Sequence, residues 1–214
     1  SLFEQRNASG LAADPRYISM ALESLDNATL DVCEGEYLDI SYQERAAVSV
    51  AEIVSVARKH GALYGVSAKL GGIAAAADDE VLNALYKFGS ALGTAQNLNI
   101  DLQAQWPEEG TERTEVQRGR LQSKKKSIAT AHAIENGTPT TRRRLGEIFM
   151  KRVLDPSDLD EVTIILGETK SRAFAEGKID ELVDEALSAL NRAALPDEQQ
   201  QLLADSAKLI VGTK

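Results

Sequence analysis

The stretch Asp78-Asp79-Glu80-Val81-Leu82-Asn83-Ala84-Leu85-Tyr86-Lys87-Phe88-Gly89-Ser90-Ala91-Leu92-Gly93-Thr94-Ala95 decides the fold class. Its acidic opening suits the positive end of a helix. Val81, Leu82, Leu85, Phe88, Leu92 and Ala95 then recur at intervals of three and four, which predicts a helix running to about Leu102. Upstream, Ser49 and Glu52 have capping-box spacing, and Ile53, Val56, Ala57, Leu63 and Val66 predict the apolar side of a helix ending at Gly71-Gly72. Further upstream, Asp14-Pro15 is an N-cap and first-turn proline opening a helix to about Glu34, before Gly35.

Downstream, Trp106 to Ser123 turns polar, with Pro107, Gly110 and Gly119 among Glu, Arg and Gln, and reads as a surface loop. Helices are predicted from about Lys125 to Glu135, from Thr138-Pro139, and from Ser157 with Asp160 to Leu195, the last of these bent at Gly167 or Gly177. Pro196 starts a final helix with Leu202, Leu203 and Ile210 on its buried side. The expectation is an all-α, antiparallel helical bundle forming a single domain over residues 1–214.

Composition agrees. The chain is 43% hydrophobic and 27% charged but only 5% aromatic, an ordinary globular balance weighted towards helix formers. A net charge of -9 argues against a general nucleic-acid binder. The single cysteine, Cys33, excludes an internal disulfide framework; it reads as a small buried hydrophobe in a reducing, cytoplasmic setting. The longest apolar run, Gly72 to Ala77, is far too short to span a membrane, and no signal peptide is expected. The chain opens at Ser1 without an initiator methionine, as a processed or truncated protein would.

No glycine-rich phosphate loop, nucleophile elbow or His-Glu-x-x-His helix occurs. His60 and His132 read as packed or surface residues rather than ligands. Lys124-Lys125-Lys126 places three ammonium groups together, which repel unless an anion or carboxylates lie nearby; it is either a phosphate site or a solvated basic patch. Arg142-Arg143-Arg144 reads as an exposed face. Lys59 lies in an apolar helix beside Gly61 and Ala62, where a ligand or a neighbouring helix can approach closely, or it snorkels to solvent.

Four ordered landmarks resemble the polyprenyl (trans-isoprenyl) diphosphate synthases. Gly35-Glu36-Tyr37-Leu38-Asp39-Ile40 matches that family's Gly-Gln-x-x-Asp-Leu. Lys59-His60-Gly61-Ala62-Leu63 matches its Lys-Thr-Gly/Ala-Ala-Leu, and Phe88-Gly89-Ser90-Ala91-Leu92-Gly93-Thr94-Ala95 its Phe-Gly-x-x-Leu-Gly-x-Ala. Lys125-Lys126-Ser127-Ile128 stands where the family writes Lys-Lys-Thr-Leu. The departures are Glu36 for glutamine, His60 for threonine and Arg120 for a loop aspartate.

The resemblance implies an isoprenoid-synthase helical bundle, with the chain corresponding to the C-terminal two-thirds of a family member. It also implies Lys59, Lys125 and Lys126 as diphosphate contacts, and magnesium held by Asp-rich motifs. The second of these motifs, Asp-Asp-x-x-Asp, is degenerate here. Without gaps it becomes Ile100-Asp101-Leu102-Gln103-Ala104, leaving Asp101 as its sole metal ligand; shifted by one, it keeps Gln96 and puts Asn99 at the first aspartate. Asp39 and His60 complete the remnants. The first motif has no counterpart and is expected upstream of Ser1.

The implied function is an isoprenoid diphosphate prenyltransferase with altered or reduced metal-dependent activity, using allylic and isopentenyl diphosphates. The alternative is a non-catalytic homologue, acting as a regulatory or partner subunit of a synthase or as a hydrophobic-ligand binder. A homodimer, or a heterodimer with a related synthase, is implied either way.

Overall fold

The computed structural model describes residues 15–107 and 110–212. Among them are nine helices and no strand: α1 (Pro15–Gln43), α2 (Val50–Ala74), α3 (Asp79–Gln105), α4 (Glu115–Gln122), α5 (Ile128–Asn136), α6 (Pro139–Met150), α7 (Pro156–Glu168), α8 (Ser171–Arg192) and α9 (Asp197–Val211). The all-α expectation holds. The expected Asp14 cap lies outside the described residues.

Capping chemistry sets most helix starts. Ser49 and Glu52 make the predicted box, the Ser49 amide and hydroxyl both donating to Glu52 Oε2 at 2.8 Å and the Glu52 amide donating to Ser49 Oγ at 3.2 Å. The Val81 amide donates to Asp78 Oδ1 at 2.9 Å, opening α3 as expected. Thr138 caps α6 ahead of Pro139.

Glycine misled the prediction of helix ends. α1 continues through Gly35 to Gln43, because a lone interior glycine costs only about 1 kcal/mol and keeps its N–H. α2 passes Gly71-Gly72 and ends at Ala74. Gly72 serves packing instead, since a Cβ there would meet Leu82 at 2.6 Å and Leu85 at 2.9 Å. The left-handed residue after α2 is Ala76, at φ 53°.

Further corrections follow. The predicted loop contains α4, whose capping box of Thr114 and Gln117 lies in a polar, wholly unburied helix that hydrophobic periodicity cannot reveal. α5 starts after Ser127, its N-cap, so Lys125 and Lys126 precede the helix. The predicted Ser157-to-Leu195 helix is two: α7 begins from an Asp155–Asp158 capping box, and the chain breaks at Lys170, φ 54°, rather than at either glycine. Leu63 and Leu202 are exposed, because Ala62 and Val66, and Ala207 and Val211, take the inward positions of their helices. Cys33 is exposed as well.

The described residues divide into two compact units, 15–34, 58–94 and 182–212, and 35–57, 95–107 and 110–181. In the first, Ala28, Ala62 and Val66 form a cluster with Leu70 and Tyr86 packed on it. Small residues matter here: a Cβ on Gly61 would lie 2.5 Å from the Ser90 carbonyl oxygen and 2.7 Å from Thr94 Oγ1. In the second, α5, α6 and α7 pack on one another, burying Ile128, Ala131, Leu145, Phe149, Ile165 and Leu166.

Candidate functional site

In the second unit, the end of α3 carries Asp101, whose residue is only 7% exposed. A buried carboxylate needs compensating donors, and two cations supply them. Arg120, on α4, donates from Nε to Asp101 Oδ1 at 3.0 Å, and its Nη2 lies 2.9 Å from the same oxygen. Lys125 Nζ lies 3.3 Å from Asp101 Oδ2 and 2.9 Å from Oδ2 of Asp39, on α1. Two acids and two bases thus face one another.

α4 is pinned in place to deliver Arg120. Arg113, just ahead of it, donates from Nε to the Ala104 carbonyl at 3.0 Å and from Nη2 to the Gln105 carbonyl at 2.8 Å. A cation is favourable there, on the last carbonyls of α3. Gln117 Nε2 adds a bond to the Gln103 carbonyl at 3.4 Å.

The lysine triplet separates at a left-handed residue, Lys124, φ 60°. Lys124 Nζ reaches the Lys151 carbonyl at 3.2 Å, and Lys125 takes the two carboxylates. Lys126 is 2% exposed, with Nζ on the carbonyls of Lys124 at 3.2 Å and Gln43 at 3.5 Å, and 4.3 Å from the centre of the Phe149 ring. Gln43 ends α1, so this ammonium meets the negative end of a helix. Burial, helped by neighbouring Lys124, still pulls its pKa down to about 8.

Beside the cluster is a cleft lined by Asp101, Arg120, Lys125, Thr130, Phe149 and Val162 among others. Of the other remnants in this unit, Asn99 is buried, and Gln96 Oε1 is buried without a hydrogen-bond partner among the described residues. Arg144 pairs with Glu161 at 3.0 Å and Glu168 at 3.6 Å, whereas Arg142 and Arg143 are exposed. His132 contacts Ser171 Oγ at 3.0 Å and stacks on Phe174, and burial lowers its pKa.

Lys59 and His60 belong to the first unit, on α2. Lys59 Nζ lies 2.8 Å from Glu34 Oε2 and 3.4 Å from Asp31 Oδ1, and the Glu34 hydrogen bond leads the rise in its pKa. His60 is half-buried.

Hydrogen-bonded carboxylates, not free ones, therefore surround the position where a metal would be sought. Magnesium demands near-octahedral oxygen ligation. One Asp101 oxygen accepts from Arg120 and the other is ion-paired to Lys125, and the described residues contain no group of three or more His, Cys, Asp or Glu able to hold an ion. The residues present do not fit the metal.

An all-α bundle carrying these four landmarks defines an isoprenoid-synthase-type protein, and the comparisons with known proteins are specific. The sequence profile of the Polyprenyl synthetase family matches residues 6–166, and the chain belongs to that family. It is 28% identical over 200 residues to the geranylfarnesyl diphosphate synthase of Natronomonas pharaonis, which covers 89% of this chain and 54% of the relative. The geranylgeranyl pyrophosphate synthetase of Pyrococcus horikoshii superposes with a TM-score of 0.80 at 26% identity, over 94% of this chain and 61% of that one. The geranylgeranyl pyrophosphate synthase of Corynebacterium glutamicum, solved with isoprenyl diphosphate and magnesium, gives 0.82 at 22% identity over 97% and 58%, a likeness of fold. The chain spans only about half the length of the curated relative and about three-fifths of these solved chains.

Proposed function

We propose that this chain is a prenyltransferase of isoprenoid biosynthesis, acting in the cytoplasm on allylic and isopentenyl diphosphates, with a metal-dependent activity reduced relative to its family. The family match supports the reaction class. The observation that carries the reduction is Asp101, which accepts from Arg120 and is ion-paired to Lys125.

Lys59 and Lys125 are the proposed diphosphate contacts, because an ammonium on a flexible stem serves a phosphate as a point charge. Both hold carboxylates in the structure, which a diphosphate would displace. Lys126, turned towards Gln43, orders the turn that presents Lys125. Magnesium supplies charge for a departing diphosphate in this family; the residues around Asp101 do not provide for it.

A second reading, a partner subunit forming a homodimer or a heterodimer with a related synthase, draws on α1. Ile18, Leu22, Leu25 and Leu30 are exposed there on one helical face, an unusual apolar stripe for solvent.

Pyrophosphate release from the full-length protein, given geranyl and isopentenyl diphosphates with magnesium, tests the first reading. Slow release that falls further in Lys59→Ala is expected. No release at high protein concentration would end it, and a changed product length or rate from a co-expressed active synthase would then favour the partner subunit.

A further inference from the structure

We infer that Arg120 and Lys125 are built-in counter-cations, protein charge standing at Asp39 and Asp101 where a divalent ion would otherwise bridge carboxylates. Lys125 Nζ does what a bridging ion does, lying 2.9 Å from Asp39 and 3.3 Å from Asp101. The Arg120 guanidinium takes the other Asp101 oxygen, donating from Nε at 3.0 Å with Nη2 at 2.9 Å.

Three features make this an architecture rather than a motif that has merely lapsed. The guanidinium is supplied from α4, whose position Arg113 and Gln117 fix by bonding the carbonyls of Ala104, Gln105 and Gln103. The ammonium is supplied from a turn that Lys124 holds in the left-handed region and that Ser127 closes by capping α5. The two carboxylates already face two cations, so a divalent ion entering beside the buried Asp101 would meet their positive charge, which is unfavourable.

The cluster therefore keeps α1, α3, α4 and the Lys125 turn together without any ion, whether or not the protein transfers prenyl groups. Arg120 and Lys125 are here positioning residues for two carboxylates.

Manganese binding, followed by electron paramagnetic resonance on the full-length protein, tests this. Asp101→Asn is expected to leave the number and affinity of bound manganese ions unchanged; loss of a bound ion in this variant overturns the inference. Asp39→Asn gives the same comparison if Asp101→Asn does not fold. The double variant Arg120→Ala/Lys125→Met, shown by circular dichroism to be helical, is expected to gain one manganese ion that Asp101→Asn then abolishes. A folded double variant that gains none shows that the two cations are not what closes the site, and overturns the inference equally. Neither readout depends on prenyl transfer, so it can fail while the activity assay succeeds, and the reverse.

Discussion

Lys126 sets a buried amine against a helix end. The usual lysine value is 10.5, and burial brings this one to about 8. Between those values the unfolded chain holds more protons than the folded one, so stability rises with pH across the window. Below about 8 the cost of keeping the charge is fully present, about 3 kcal/mol by linkage. The melting temperature of the native protein should therefore rise from pH 8 towards 10 relative to that of Lys126→Met, which has no such group; parallel curves for the two proteins would reject the assignment. The triplet was legible in the sequence as three cations that repel unless an anion or carboxylates lie nearby, a phosphate site or a solvated patch; in the structure Lys125 meets the carboxylates of Asp39 and Asp101. Which lysine would turn inward was not legible. That depends on a left-handed backbone at Lys124, a conformation side-chain-bearing residues seldom adopt and no local pattern announces.

At the scale of elements, α2 and α3 approach through glycine. A Cβ on Gly61 would fall 2.5 Å from a backbone oxygen, that of Ser90, which cannot swing aside. Gly61→Ala should thus destabilise by about 1–3 kcal/mol through overpacking, more than the roughly 1 kcal/mol that helix propensity returns. Gly71→Ala is the contrast: nothing lies within 4 Å of its Cβ, so propensity alone should act and stabilise by about 0.5–1 kcal/mol. Chemical denaturation of both variants checks the difference; equal signs would contradict the packing reading. The same contrast explains the prediction of helix ends. Gly35 and Gly71-Gly72 look alike in sequence as stops, yet glycine inside a helix often marks a neighbour's close approach, and only the neighbour reveals which. α4 escaped for the opposite reason. Its box, Thr114-x-x-Gln117, was present to be read, but no apolar stripe accompanies it.

For the molecule as a whole, the net charge of -9 is a standing self-repulsion that a compact state must bear. Salt screens exposed charges over about 10 Å at 0.1 M and buried pairs much less. Added sodium chloride should accordingly raise the melting temperature, since the surface repulsion is screened while the Asp101 cluster keeps its attraction; a steady fall would place the dominant electrostatics elsewhere. The helical class and the family landmarks were readable because they rest on periodicity and short motifs. The closing of the Asp101 position was only half readable, as Arg120 lies nineteen residues from its partner in a helix that was taken for loop.

Cys33, expected in the core, stands instead in solvent on α1, the single thiol in 214 residues. Within these 214 residues a maleimide dye or nitroxide thus has a single attachment point, with no prior mutagenesis. Placed on the helix that bears Leu22, Leu25 and Leu30, such a reporter gives a spectroscopic view of whatever comes to rest against that apolar face.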